Sequence, residues 1–170
     1  MLQRLLLGML LLLACAELPG TPQRVADTNL VVRVGPEASI DPSKVPLHFQ
    51  VSADGTSDVR TQAAVVTARV RALPGQKIRV MARLTNLYGP VGPVPAAALR
   101  WTASVASATA GATQATCSGG AFTSATAQDV VQGWGRSGTL SCAMNFELTG
   151  AGTLAPGAYS GLVDFTVGAQ

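Results

Sequence analysis

The sequence predicts an all-β protein, a sandwich of two antiparallel sheets built from about nine short strands. Three observations predict this fold. Apolar and polar residues alternate at every second position in most of the chain after residue 27, as in strands with one buried face. The 18 glycines and 10 prolines interrupt these runs at short intervals. Finally, no apolar run with a helical period follows the first 16 residues.

The clearest strand is predicted over residues 139–148. Five apolar residues there occupy alternate positions, with polar residues between most of them, so this strand should bury one face in the core. These are Leu140, Cys142, Met144, Phe146 and Leu148.

Two earlier segments have the same pattern. In 28–34 the apolar residues are Leu30, Val32 and Val34, and a second strand has Leu47 and Phe49 on its buried face. The dipeptides at 35–36 and 41–42 end in proline, which separates the two strands.

The most regular pair of predicted strands covers 63–71 and 77–84. Their inward-facing residues are Ala64, Val66, Ala68 and Val70 on one and Ile78, Val80, Ala82 and Leu84 on the other. The two strands either form one hairpin with a three-residue loop at 74–76, or the connection crosses between two sheets.

Later strands are predicted at 99–105, 114–117 and 121–126, with Trp101 and Val105 among the inward residues of the first. A hairpin is predicted between 129–134 and 138–148, across the turn 135–137. The last strand should bury Tyr159, Val163, Phe165 and Val167 on one face.

The first 16 residues have the layout of a secretory signal peptide, with Arg4 in a basic start, an apolar run over 5–13 and small residues at 14–16. Two interpretations of Cys15 are open: it is lipidated within a lipobox-like sequence, or it is removed by cleavage after Ala16. Both predict export, to the periplasm, the outer membrane or cell surface, or the medium. A lipid anchor would be the only membrane contact. We expect a flexible tether over 17–26 and a single sandwich domain over 27–170.

The three cysteines predict one disulfide. Without Cys15, the exported chain retains Cys117 and Cys142, and an even pair suits an oxidising compartment. A bridge closing a loop of this length should stabilise the domain by about 3 to 4 kcal/mol. A redox or metal role is disfavoured because the chain has no Cys-x-x-Cys motif and a single histidine.

Composition and spacing argue against nucleic-acid binding and catalysis. The formal charge is +3, or +2 without Arg4, which is too weak a bias to predict a nucleic-acid partner. The single histidine, His48, lies on the polar face of a short strand and has no nucleophile or carboxylate near it in sequence. Because the carboxylates are scattered singly, we expect no enzyme, no metal and no cofactor.

Two surface features are candidates for binding. Five basic residues share the polar side of the two most regular strands: Arg69, Arg71, Lys77, Arg79 and Arg83. They would attract an anionic glycan or lipid head groups, or they would only protect the sheet from edge pairing. Trp134, between glycines, would contact sugar if exposed, although a core position is expected for it and for Trp101.

The C-terminal residues 154–167 resemble the last strand of secreted bacterial β-sandwich subunits, including spore-coat-U-like and fimbrial proteins. They contain a Pro-Gly turn, then Tyr159, then an alternating strand that ends in Phe165, Thr166 and Val167. The resemblance implies an immunoglobulin-like sandwich with no catalytic site, used in surface structure or adhesion, with itself or other envelope proteins as partners.

Some members of that group are completed by a strand donated from a neighbour, a role for which Leu30, Val32 and Val34 are the candidates. The cysteines depart from the fimbrial pattern, because both lie in the second half of the chain. The alternative function is a ligand-binding module, with carbohydrate as the ligand.

Overall fold

Strands with alternating burial account for most of the regular structure in the computed structural model, which describes residues 36–54, 59–123, 126–150 and 154–170. These residues belong to one compact unit, Val34–Gln170. The signal peptide, the tether and the strand predicted at 28–34 lie outside the described residues. The strands are β1 (Glu37–Asp41), β2 (Lys44–Val51), β3 (Thr61–Arg71), β4 (Ile78–Gly89), β5 (Gly92–Pro93), β6 (Leu99–Ala108), β7 (Thr116–Cys117), β8 (Gly120–Ala121), β9 (Gln128–Asp129), β10 (Val131–Gln132), β11 (Gly138–Leu148) and β12 (Gly157–Ala169).

The long strands form two antiparallel sheets. Sheet 1 has the order β1-β3-β11-β6-β8, and sheet 2 has the order β2-β12-β4-β5, with β9 also paired to β4. Strands β7 and β10 pair with each other as a separate two-stranded piece. The described residues are therefore all-β and antiparallel, as predicted, and the arrangement is consistent with a two-sheet sandwich.

The buried side chains of both sheets belong to one hydrophobic core. In β2 the burial alternates without exception, with Val45, Leu47, Phe49 and Val51 inside. Such alternation is expected when one face of a strand packs on the core and the other meets water.

Strand β11 lies at the centre of sheet 1, between β3 and β6. Its five predicted core residues are all buried, and Phe146 is fully so. Burial of a large apolar side chain contributes about 1.5 to 3 kcal/mol, so this strand supplies a large share of the core. Ser141, on its other face, shares a hydrogen bond of 2.8 Å with the Thr67 hydroxyl of β3.

Of the two connections that the sequence leaves open between β3 and β4, the one that crosses between sheets is observed, and the hairpin does not form. Strand β3 pairs with β1 and β11, whereas β4 pairs with β12. The predicted inward faces of both strands are nevertheless right. The two faces bury against each other across the core, which alternation alone cannot distinguish from pairing side by side.

No strand is predicted over Glu37–Asp41, because the prolines at 36 and 42 leave a run of only five residues, in which Ala38 and Ile40 are the two apolar ones. In the structure neither of them is fully buried. Strand β1 forms an edge of sheet 1, and the chain then passes to sheet 2 through a cis Asp41–Pro42 peptide. Just after this crossing, the Ser43 carbonyl accepts a hydrogen bond of 2.7 Å from the Phe165 amide. The continuous segment from β1 to β2 therefore contributes one strand to each sheet.

The predicted hairpin between 129–134 and 138–148 is wrong. Strand β9 pairs with β4, β10 pairs with β7, and β11 pairs with β3 and β6. The strand expected at 121–126 is limited, within the described residues, to Gly120–Ala121, after which Phe122 is fully buried. In β6, Trp101 is buried as predicted, but Val105, which was also expected to face inward, is 42% exposed.

Strand β12 confirms the predicted buried face for Tyr159, Val163 and Phe165, each at most 3% exposed, whereas Val167 near its end is only partly buried. It lies between β2 and β4 in sheet 2. The Tyr159 hydroxyl donates a hydrogen bond of 2.6 Å to the Ala155 carbonyl, which fixes the ring at the start of the strand.

Candidate functional site

The predicted disulfide is present between Cys117 and Cys142, with Cα atoms 5.9 Å apart. Cys142 is buried in the centre of sheet 1, and Cys117 lies in the short strand β7. The bridge attaches the β7–β10 piece, where the Ala/Thr-rich sequence offers few large apolar side chains, to β11, the central strand of sheet 1. Its place in the core is that of a structural bridge, since a reactive cysteine needs access to solvent.

The five basic residues do not share one surface. Arg69 and Arg71 belong to β3 in sheet 1, whereas Arg79 and Arg83 belong to β4 in sheet 2, with Lys77 just before it. The prediction of a single basic face is therefore wrong. It depended on the β3–β4 hairpin, and once the two strands lie in different sheets their outer faces point to opposite sides of the core.

Three of these cations have acidic partners. Arg79 and Asp129 form a two-pronged ion pair, with nitrogen–oxygen distances of 3.0 and 2.6 Å. The hydrogen bonds and charge of Asp129 raise the pKa of the Arg79 guanidinium above its usual value. Weaker contacts join Arg71 to Glu37 at 3.9 Å and Arg83 to Asp164 at 3.6 Å.

Asp129 was not recognised as a partner because it lies 50 residues from Arg79 in the chain. Its position follows from the pairing of β9 with β4, in which Met81 is opposite Asp129. Exposed ion pairs of this kind contribute little to stability, because water and salt screen the two charges. Their main effect here is to neutralise much of the positive charge that the sequence places on these strands.

A groove of about 600 Å³ lies where β4 begins. The polar residues that line it are the Arg79–Asp129 pair, Lys77, Gln132 and Gln170. Its apolar lining includes Ile78, Val131 and Trp134. Planar amide, carboxylate and guanidinium groups are suited to hydroxyl-rich ligands because each can donate or accept paired hydrogen bonds. This groove, which is here called the β4 groove, is a candidate surface for binding a small polar ligand.

Both tryptophans are core residues. Trp134 is 3% exposed, and its indole N–H donates to the Arg136 carbonyl at 2.8 Å. Trp101 is also 3% exposed and packs on Phe122, with ring centroids 4.6 Å apart. The expected core positions are therefore confirmed, and the alternative of an exposed Trp134 that contacts sugar is wrong.

His48 is exposed on β2, and its strand pairs it with Ser160. Its backbone amide donates to the Gln62 side-chain oxygen at 2.7 Å, and the Gln62 side-chain nitrogen donates to the Pro46 carbonyl at 2.8 Å. A further pair of hydrogen bonds joins Gln50 to Val59. Gln62 thus occupies the backbone groups along the outer edge of β2, a function that the sequence pattern did not indicate.

In β3, β11 and β6 the middle of the outer face of sheet 1 carries uncharged side chains, and Asp41 of β1 lies beside it, opposite Thr67. Cross-strand partners in β3, β11 and β6 supply only small or short side chains there, apart from Val65, which is 55% exposed. We call this surface the flat face; it comprises Ala63, Val65 and Thr67 of β3, Ser141, Ala143 and Asn145 of β11, and Thr102, Ser104 and Ser107 of β6. Arg69 lies beyond one end of it, and Glu147 and Arg100 lie beyond the other.

Four of the predicted site residues lie outside the described residues. They are Cys15 and the candidate donor residues Leu30, Val32 and Val34. Among the described residues, no three histidine, cysteine or acidic side chains come together as ligands for a metal ion. No helix in the same part of the chain combines the length and hydropathy of a membrane span.

Comparison with known proteins gives no relative for this chain: no family model, no curated protein and no solved structure matches it.

Proposed function

We propose that this chain is a non-enzymatic protein of the bacterial envelope or cell surface, with a structural or adhesive role. The observation that carries the proposal is the Cys117–Cys142 bridge inside an antiparallel β domain, in a chain whose first 16 residues have the layout of a signal peptide. A structural disulfide persists in oxidising compartments outside the cytosol. Both features favour export of the protein.

The order of the long strands supports an immunoglobulin-like sandwich. That fold places its strands in the order A-B-E-D in one sheet and pairs C with F in the other. If β1, β3, β4, β6, β11 and β12 are lettered A to F in chain order, sheet 1 has the order A-B-E-D and β4 pairs with β12 as C with F. The disulfide differs, since it joins strand E to the D–E connection rather than B to F.

Tyr159 is an independent argument for the same fold. Immunoglobulin domains have a tyrosine near the start of strand F whose hydroxyl bonds to the backbone a few residues upstream. Tyr159 is the third residue of β12, the strand that takes the F position, and its hydroxyl bonds to the Ala155 carbonyl. This contact depends on side-chain geometry and not on strand order.

The place of the seventh strand, G, is filled by β2. Strand β2 pairs with β12 in the antiparallel direction, on the side away from β4. A donated strand, as in the fimbrial proteins that the C-terminal sequence resembles, would need an open edge in the acceptor. Because Gln62 and Val59 occupy the outer edge of β2, the geometry favours a subunit that completes its own sheet. Donation by the segment 28–34 stays a prediction.

Surface exposure on intact cells tests the proposed function. Cells of the native host carrying an epitope tag at the C-terminus would be treated with proteinase K, with and without prior permeabilisation of the outer membrane. We expect the tag to be lost from intact cells, or only after permeabilisation if the domain faces the periplasm, while a cytoplasmic control protein survives both treatments. Survival of the tag in permeabilised cells, together with the control, would contradict an envelope location.

The β4 groove favours carbohydrate binding as a second candidate function. The Arg79–Asp129 pair, joined by two hydrogen bonds, lines the groove together with Gln132 and Gln170. Such polar groups can donate hydrogen bonds to sugar hydroxyls and accept hydrogen bonds from them. Affinity electrophoresis in gels containing soluble neutral or acidic polysaccharides would detect such binding. Retardation that is lost in Gln132→Ala, but kept in Gln50→Ala on β2, would assign the sugar to this groove. Equal mobility in all gels would exclude it for the polysaccharides used.

A further inference from the structure

The outer faces of the two sheets differ in a way that the fold itself does not require. Sheet 2 has long and charged side chains across the middle of its outer face, where Lys44, Asp164 and Arg83 are cross-strand neighbours. On the flat face of sheet 1, the corresponding positions are occupied by alanine, serine, threonine, asparagine and Val65. Large charged side chains keep a sheet face solvated, whereas a flat face of short side chains lets another surface approach closely.

We propose that the flat face of sheet 1 binds the flat face of a second copy of this chain, with the strands of the two copies running in opposite directions. The inference rests on the proposed structural role and names the partner for it. In this arrangement a two-fold axis lies in the interface and runs across the strands, along the cross-strand pair Val65 and Ala143. Val65 of one copy therefore packs against Val65 of the other, and Ala143 against Ala143.

Charge selects the antiparallel arrangement. Arg69 is opposite Thr139 at one end of the face, and Glu147 is opposite Thr61 at the other end. Neither Arg69 nor Glu147 has an ion-pair partner within the described residues. In the antiparallel arrangement Arg69 of each copy lies near Glu147 of the other, while a parallel arrangement would bring the two Arg69 side chains together. Like charges in an interface oppose association.

The proposed contact extends from the flat face to the charged residues at both of its ends, and its size predicts a weak and reversible association. Eight residues of β3 separate Thr61 from Arg69, which is about 27 Å at the rise of a strand, and three strands span about 14 Å. The resulting area, about 400 Å² per copy, is at the low end for protein interfaces and fits transient association. Copies held together on one surface would still associate, because tethering raises their effective concentration.

Sedimentation equilibrium of the full chain, exported with its leader and purified from the periplasm, tests the inference. We expect a reversible dimer with a dissociation constant between about 10 µM and 1 mM. Val65→Glu places two like charges at the axis and should raise that constant about tenfold or more. The matched control is Val91→Glu, since Val91 is 85% exposed in the turn between β4 and β5, and it should leave dimerisation unchanged.

A charge exchange separates this arrangement from a general loss of stability. Glu147→Arg should weaken the dimer, because it faces Arg69 of the other copy, and Arg69→Glu combined with Glu147→Arg should restore the original affinity. A wild-type protein that stays monomeric to about 1 mM, a dimer unaffected by Val65→Glu, or a double variant no better than Glu147→Arg would each overturn the inference. Surface exposure of a strictly monomeric protein would leave the proposed function standing without this interface.

Discussion

Removal of the Cys117–Cys142 bridge should cost the domain a large part of its stability without changing its fold. The two cysteines are 25 residues apart, and the chain-entropy model gives a stabilisation of about 3.5 kcal/mol for a loop of that length. Domains of this kind unfold with a free energy of about 5 to 15 kcal/mol. The variant to make is Cys117→Ala with Cys142→Ala, because alanine leaves no unpaired polar group at the buried position.

Urea unfolding followed by tryptophan fluorescence measures this loss. Trp101 and Trp134 are both 3% exposed, so each passes from the core to water when the domain unfolds. We expect the double variant to be less stable than the oxidised wild type by about 3 to 4 kcal/mol and its melting temperature to fall by about 10 °C. Reduced wild-type protein is the matched control and should resemble the variant. A double variant within about 1 kcal/mol of the oxidised wild type would refute the structural role of the bridge.

Three further predictions test the local packing. Gly89→Ala should cost about 1 to 3 kcal/mol, because its Cβ would overlap the Tyr159 ring, whereas Gly168→Ala, with nothing within 4 Å of the new Cβ, should be nearly neutral; urea titration of both variants decides this. Tyr159→Phe should lose about 1 kcal/mol with the hydroxyl's hydrogen bond, and an unchanged unfolding midpoint would remove that contact from the account. Gln62→Ala should speed hydrogen exchange at the His48 amide about tenfold or more, and unchanged exchange there would show that Gln62 does not protect the edge of β2.

The alternation of residues predicted which side chains are buried, but not which strands are neighbours. For β3 and β4 the predicted inward faces are right, yet the hairpin between them does not form. An inward-facing set is the same whether two strands lie side by side or face each other across the core. The predicted single basic face required that hairpin and does not form without it, because Arg69 and Arg79 point to opposite sides of the core.

Edges and short strands could not be predicted for a different reason. Strand β1 has only Ala38 and Ile40 as apolar residues, in a run of five between two prolines, so its pattern is too short to predict a strand. Val105 follows the apolar pattern of its strand but is 42% exposed, which the alternation did not indicate. Asp129 and Gln62 act through partners 50 and 14 or more residues away. Only the folded chain brings these groups together.

The disulfide could be predicted because its assignment required only the positions of the cysteines in the sequence and no knowledge of the fold. Once Cys15 is assigned to the leader, Cys117 and Cys142 are the only pair left. Their pairing is compatible with the export that the leader predicts, because structural disulfides occur mainly in oxidising compartments.

The state of these cysteines in living cells tests the central claim, that this is an exported and disulfide-bridged β domain, most directly. Cells of the native host would be precipitated in acid, and their thiols would be labelled with a maleimide large enough to shift the protein in a gel, with and without prior reduction. We predict a chain that has lost its leader and that shifts by two labels only after reduction. A chain that keeps residues 1–16 and takes up label at both Cys117 and Cys142 without reduction would contradict the account.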